Sequence, residues 1–288
     1  MTKSGVGAIV VFVLASLYCP PLSYAQTTST AAATPASAPE PELSVAQIKD
    51  FLKTAKVVKT RSTTKGVTAP KRLTLSDGVT THDAVFQAID DRKTVMQLGG
   101  GGRQTTTELN FVDSYKYNIG AYELARLLGL EYMMPVYIER RVNGQVGSIS
   151  WFVPTLMDES DRLKKKIQPP NATDWNQQMY RMRVFSALTR DTDRNLTNVL
   201  ITPQWKVMMI DFSRAFRLQP ELLHIRDLTK IDRALLAKLE GLTKDGVKQA
   251  TDDFLNTHEI DVMMQRRDLL VAHFKKLIAE LGEDKVLY

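Results

Sequence analysis

The sequence predicts an α+β protein with a small, β-rich first half and a mostly helical second half. Three observations predict it. Asp77-Gly78 and Asn143-Gly144 are hairpin turn signals, each set between strand-like runs. Beyond Pro154 the apolar spacing becomes helical and stays mostly helical. One strand–turn–strand, "NVLI" and "KVMMIDF", interrupts the helices and places Asp and Asn beside apolar runs.

The chain of 288 residues opens "MTKSGVGAIVVFVLASLYCPPLSYAQ". Lys3 is a positive start, and the apolar run at 6–18 is too short to span a bilayer comfortably. Ser23, Tyr24 and Ala25 place small residues at a cleavage position, so residues 1–25 read as a secretory signal peptide cut before Gln26. Cys19 lies in this leader after the large Tyr18, which argues against a lipoprotein signal. The mature chain then has no cysteine and no disulfide. Residues 26–43, "QTTSTAAATPASAPEPEL", hold almost no large apolar groups and read as a disordered tether. The expected protein is exported, to a periplasm or outside the cell, with no stable membrane span after cleavage. Net charge is +6, or +5 without Lys3, and the charges are interspersed. No basic stripe interleaves with aromatics, so nucleic acid is not the expected partner.

Ser44 before an amphipathic run predicts a helix over 43–55. Strands are expected at 72–75 and 83–89 around Asp77-Gly78. The glycine run at 99–102 reads as a flexible loop; it lacks the preceding strand and following Lys-Ser/Thr of a phosphate loop. Ala121, Leu124 and Leu128 predict a helix over 114–130 that stops at Gly129. Two strands are expected within 135–153 around Asn143-Gly144. These elements make a first lobe of residues 44–153. The second lobe, 154–288, is expected to hold a helix at 174–188, the short strand pair, and helices from "LTKIDRALLAKLEGL" onward. Met208, Met209 and the methionines of the 174–188 helix read as core. His82, His224, His258 and His273 lack zinc-ligand spacing.

Asp193, Asn198 and Asp211 carry the chemistry. Asp and Asn are poor strand residues, and a carboxylate beside a core is costly unless something binds it. A cation is the simplest partner. Asp193-x-x-x-x-Asn198 has the spacing of a kinase catalytic loop, and Asp211-Phe212-Ser213 stands where a metal-binding Asp would follow. A carboxylate and an amide oxygen on adjacent strands can hold a dication that bridges nucleotide phosphates.

"DTDRNLTNVLI" and "KVMMIDFSRAF" together resemble the Asp-Arg-His-x-x-Asn … Asp block of the atypical kinases: the phosphatidylinositol 3-/4-kinase-like, HipA-type and secretory-pathway casein kinase-like groups. "NIGAYELARLLGL" and "MPVYIERRVNGQVGS" resemble that group's helix and following strand, and "HDAVFQAI" its Val-Phe-Lys-Pro strand. The resemblance covers about 70–220 and implies a bilobal protein-kinase-like fold. It implies Asp193 as the catalytic residue, Asn198 and Asp211 as ligands of Mg²⁺ or Mn²⁺, and ATP as cofactor. It places Gln87 and Asn118 on the phosphate side, and Trp151 and Val153 at the hinge that meets the base. Two positions depart. Gln87 stands where the family has its phosphate-binding Lys, and Asn118 where it has the paired Glu. A Gln–Asn hydrogen bond would replace the ion pair without stranding a charge. Lys93, Arg103 and Lys116 are candidates for the missing cation. Asn195, where the family often has His, also starts an N-glycosylation pattern, as does Asn171. Arg214 and Arg217 read as ion-pairing residues of the site, and Glu123 as a surface residue.

Three readings follow. The chain is an exported phosphotransferase that phosphorylates a hydroxyl on a protein, lipid or small-molecule acceptor. Alternatively it is a pseudokinase that binds a nucleotide or partner without turnover, or, more remotely, a scaffold.

Overall fold

The computed structural model describes residues 43–62, 70–98, 106–251 and 253–288. The leader, all of the tether but Leu43, the glycine run at 99–102 and Arg103 lie outside them. Residues 43–288 belong to one unit.

The first helix, α1 (Val45–Thr54), starts where Ser44 and Gln47 cap each other's backbone N–H groups. Strands β1 (Lys56–Ser62), β2 (Lys71–Ser76) and β3 (Thr81–Gln87) follow, then β4 (Asp90–Leu98) and β5 (Thr106–Ser114). Next come α2 (Tyr115–Leu128), β6 (Tyr137–Val142) and β7 (Gln145–Trp151). Five strands form an antiparallel sheet in the order β1-β2-β3-β7-β6. Asp77 closes the β2–β3 turn by accepting from the N–H groups of Val79 and Thr80. Asn143 and Gly144, both at positive φ, close the β6–β7 turn. Leu73, Leu75, Ala84, Phe86 and Ile149 turn one face of the sheet into the core.

Helix α2 packs on β6 and β7 and is buried on nearly every side. Its buried residues include Tyr117, Ile119, Ala121, Tyr122, Leu124 and Leu128, while Glu123 and Arg126 keep one polar edge. It ends on Gly129 in the left-handed conformation, as expected. Gly147 has a different reason to be glycine. A Cβ there would lie 2.3 Å from the Gln87 carbonyl oxygen on the neighbouring strand. Its absence lets β7 approach β3 beside Gln87.

Two features of this region differ from expectation. β1 and the β4–β5 hairpin carry charges along their length, "KVVKTRS" and "DDRKTVMQL", so they lack the apolar alternation that announces a strand. β4 and β5 pair only with each other. They dock through the chain: the Ser114 N–H donates to Ser213 O at 2.8 Å and the Tyr115 N–H to Ile89 O at 2.7 Å.

The C-terminal region begins with β8 (Met157–Asp158) and α3 (Glu159–Lys164), then α4 (Ala172–Thr189), β9 (Val199–Ile201) and β10 (Val207–Met209). The three short strands form a sheet in the order β10-β9-β8. Helices α5 (Arg233–Gly241), α6 (Lys244–Thr251), α7 (Thr257–Leu281) and α8 (Glu283–Val286) close the chain. α4 buries Met179, Met182, Phe185 and Leu188, so its methionines are core, as expected. The helix expected from Leu228 starts five residues later. Asp232 is its N-cap, accepting from the Leu235 N–H, and Ile231 instead bridges to Leu287. Among the described residues no helix is long and apolar enough to cross a membrane.

Candidate active site

The sheet-bearing region and the helical region meet where β7 ends and β8 begins. Trp151, the last residue of β7, stacks on His82 with ring centroids 3.5 Å apart, and His82 Nε2 lies 2.9 Å from Phe152 O. Burial pushes the His82 imidazole below its ordinary pKa, so this buttress is neutral near pH 7. A cavity of about 200 Å³ opens beside it. Gln87, Tyr137, Trp151, Val153 and Asp211 line it, with Leu200, Met208 and Ile210 on the helical side. An apolar slot with a few polar groups at one end suits a planar ring bearing a polar tail.

The loop after α4 starts where Arg190 turns into the left-handed conformation. Buried Asp191 then accepts from the Asp193 N–H at 3.1 Å and ion-pairs with Arg194. Burial raises the Asp191 pKa, and the Arg194 guanidinium opposes that shift. Arg194 donates to Asn198 O at 2.9 Å and to Ile210 O at 2.6 Å, which clips the loop to the strand ahead of Asp211. The Ile210 N–H donates to Asn198 O, extending the β9–β10 ladder. The ladder therefore holds Asn198, the residue before β9, beside the segment after β10 that leads into Asp211.

Asp193 is 38% exposed in its side chain, and one oxygen lies 3.8 Å from Arg214 Nη1. Asn198 is buried; its Nδ2 donates to Asp193 O at 3.1 Å, and its Oδ1 has no protein donor among the described residues. Asp211 has φ +57°, a conformation that a non-glycine residue rarely holds without reason. Ser213 Oγ donates to one of its oxygens at 3.0 Å. An amide oxygen and a carboxylate are hard donors of the type Mg²⁺ and Mn²⁺ take. Among the described residues no three His, Cys, Asp or Glu side chains cluster, so the amide is needed to complete such a set.

Gln87 and Asn118 form the anticipated hydrogen bond: Asn118 Nδ2 donates to Gln87 Oε1 at 2.7 Å. Asn118 Oδ1 also accepts from the Phe212 N–H at 2.7 Å, joining sheet, helix α2 and the Asp211 segment through one side chain. Neither Lys93 nor Lys116 lines the cavity. Lys93 pairs with Asp91 at 2.7 Å and borders a different groove. Arg214 and Arg217 grip Glu108 on β5 at 3.2 and 2.9 Å, an ion-pairing role. Glu123, instead of lying free on the surface, is mostly buried between Lys49 and Arg126. Asn171 caps α4, while Asn195, exposed in the loop, bonds Thr197 and Asp193.

Sequence reasoning missed Tyr137, Asp191 and Arg194. Tyr137 hydrogen-bonds Ser150 and the Asp211 backbone, and burial pushes its hydroxyl pKa up. Its strand position gave no polar signal. Asp191 and Arg194 flank Asp193 and were legible as neighbours of the motif, but their inward direction was not.

Solved structures match over most of the chain. A hydra Fam20 structure with sugar aligns with a TM-score of 0.63 at 13% identity, covering 85% of this chain and 92% of that one. The Golgi casein kinase with Mn and ADP bound aligns at 0.59 and 12% identity, covering 84% and 78%. A second structure of the Golgi casein kinase aligns at 0.57 and 13% identity, covering 84% and 78%. No protein-family model matches the sequence, and no curated protein matches it significantly. The fold is kinase-like, as the motifs implied.

Proposed function

We propose that the chain is an exported, metal-dependent phosphotransferase of the atypical kinase type that uses ATP and phosphorylates a hydroxyl acceptor. The observation that carries this reading is Asn198 Oδ1, left without a donor among the described residues, on a segment whose main-chain carbonyl holds the Ile210 N–H, one residue before Asp211, which lines the cavity at φ +57°. Asn198 and Asp211 would hold Mg²⁺ or Mn²⁺, which neutralises phosphate charge when bound. Asp193 orients the acceptor hydroxyl and takes its proton. Trp151 and Val153 border the slot for the base, and Gln87 and Asn118 the phosphate end. The Mn and ADP in the Golgi casein kinase support the choice of cofactors.

The expected result of a thermal-shift titration is a rise in Tm with ATP and Mn²⁺ together, lost in Asp211→Ala. No metal-dependent shift in the wild-type protein overturns the reading.

One observation favours the pseudokinase instead: no Lys or Arg among the described residues lines the cavity. The double variant Gln87→Lys with Asn118→Glu separates the two. The introduced glutamate keeps an acceptor for the Phe212 N–H, and the introduced lysine brings an ammonium to the phosphates. If the amide pair is what limits transfer, labelled γ-phosphate transfer rises on the order of a hundredfold. A wild-type protein that binds ATP and transfers nothing, beside a double variant that does, identifies a pseudokinase.

A further inference from the structure

Gln87 stands where a lysine would meet the phosphates, so a transfer site here needs a cation from elsewhere. Three arginines follow Asp193 and Asp211 closely in the chain: Arg194, Arg214 and Arg217. Arg194 is committed to Asp191, Asn198 O and Ile210 O. Arg217, deeply buried, is committed to Glu108 and Val112 O. Arg214 differs. Its Nη2 holds Glu108 at 3.2 Å, and its guanidinium lies over the Phe111 ring, 5.2 Å from the centroid. Its Nη1 lies 3.8 Å from Asp193 Oδ2, too far for a hydrogen bond, and makes none among the described residues. Nε is shielded from solvent, whereas Nη1 is open to it. The main chain fixes this placement: the Thr192 hydroxyl donates to Arg214 O at 3.4 Å, and the Ser114 N–H to Ser213 O. Burial raises the pKa of Asp113 at the end of β5; Asp211 adds to that shift and Arg214 opposes it, so these three charges are neighbours.

We infer that Arg214 Nη1 binds the terminal phosphate of ATP and supplies the cation that Gln87 cannot. The inference rests on the phosphotransfer reading and adds a residue to that site. In that reading the terminal phosphate lies between the acceptor at Asp193 and the metal at Asp211, and Arg214 neighbours both carboxylates. A solvent-open guanidinium nitrogen with one long contact can exchange Asp193 for a phosphate oxygen, because phosphate carries more charge and accepts strong, charge-assisted bonds from arginine. Glu108 and the Phe111 ring hold the guanidinium from its other side, so it is placed before the ligand arrives.

The test needs no turnover, so it reads out in an active enzyme and in a pseudokinase alike. The full chain is titrated with ADP and with a non-hydrolysable imido analogue of ATP, each with Mn²⁺, and affinities are taken from the rise in Tm. Wild type is expected to bind the analogue at least about tenfold more tightly than ADP. In Arg214→Gln that preference should fall to about twofold or less, with ADP affinity kept. Arg214→Lys keeps a charge for Glu108, and so the seat of β5, but loses the planar fork; its preference should fall at least about threefold with the unliganded Tm near wild type. A preference kept in both variants, or absent from the wild type, overturns the assignment of Arg214 and leaves the phosphotransfer reading standing. Equal loss of ADP and analogue binding in the variants means that Arg214 acts through the fold or on the inner phosphates, and overturns it too. Binding of neither nucleotide by the wild type overturns the phosphotransfer reading itself, and this inference with it.

Discussion

Asp193→Ala is expected to reduce transfer of labelled γ-phosphate from ATP by about a thousandfold while leaving the ATP–Mn²⁺ thermal shift in place. The separation follows from where the side chain sits. Asp193 is partly open to solvent, and the bonds that fix the loop use its main chain: the N–H to Asp191 and the carbonyl to Asn198. Alanine keeps both. What it removes is a carboxylate that the neighbouring Asp191 cannot replace, since that side chain is turned inward onto Arg194. A general base contributes about a hundredfold to ten-thousandfold, and its loss should leave binding of the metal nucleotide to Asn198 and Asp211. Transfer at the wild-type rate in Asp193→Ala removes Asp193 from the mechanism. Loss of the thermal shift as well would assign it to binding instead.

Arg266→Met is expected to lower unfolding stability by about 3 kcal/mol or more, read as a shift in the denaturant midpoint. Arg266, on α7, is fully buried. Nε donates to Leu188 O at 2.7 Å, and Nη1 to Arg217 O and Gln219 O at 2.8 and 2.9 Å. These carbonyls belong to the end of α4 and the segment after Asp211, so one guanidinium ties α7 to both. Its described partners include no carboxylate, and burial, with Arg190 nearby, pulls its pKa down to about 9. The fold thus holds a cation by dipoles alone. Methionine fills similar volume without donors and strands three carbonyls, each worth about 1–3 kcal/mol when buried and unpaired. Relief of the buried charge offsets part of that loss. Well below the folded-state value both folded and unfolded states keep the proton, so the difference between wild type and variant should be flat between about pH 6 and 8. An unchanged midpoint would mean that water replaces the guanidinium.

Much of this architecture can be read from the residues. Asn143-Gly144 and Asp77-Gly78 set φ locally, so their hairpins follow from two residues each. Gly129 ends α2 for the same reason. The β4–β5 hairpin is different. Its alternation is blurred by Asp90, Asp91, Arg92 and Lys93, and it pairs with no other strand, so only the end of β5, where Phe111 and Asp113 are buried, has a face for a period to report. At the site, the order of Asp193, Asn198 and Asp211 was legible because the chain spaces them on one strand–turn–strand. Tyr137 was not, because its contact with the Asp211 backbone joins residues far apart in sequence. The inward turn of Asp191 depends on the path of the loop after Arg190, which no residue type dictates alone.

The bond from Asn118 to Gln87, shared with the Phe212 N–H, joins three parts of the fold without a formal charge. Kinases that use a lysine and a glutamate there depend on an attraction that dissolved ions weaken and extreme acidity abolishes. Two carboxamides neither titrate nor attract counterions. The alignment of α2 with the Asp211 segment should therefore persist in brine and in acid alike.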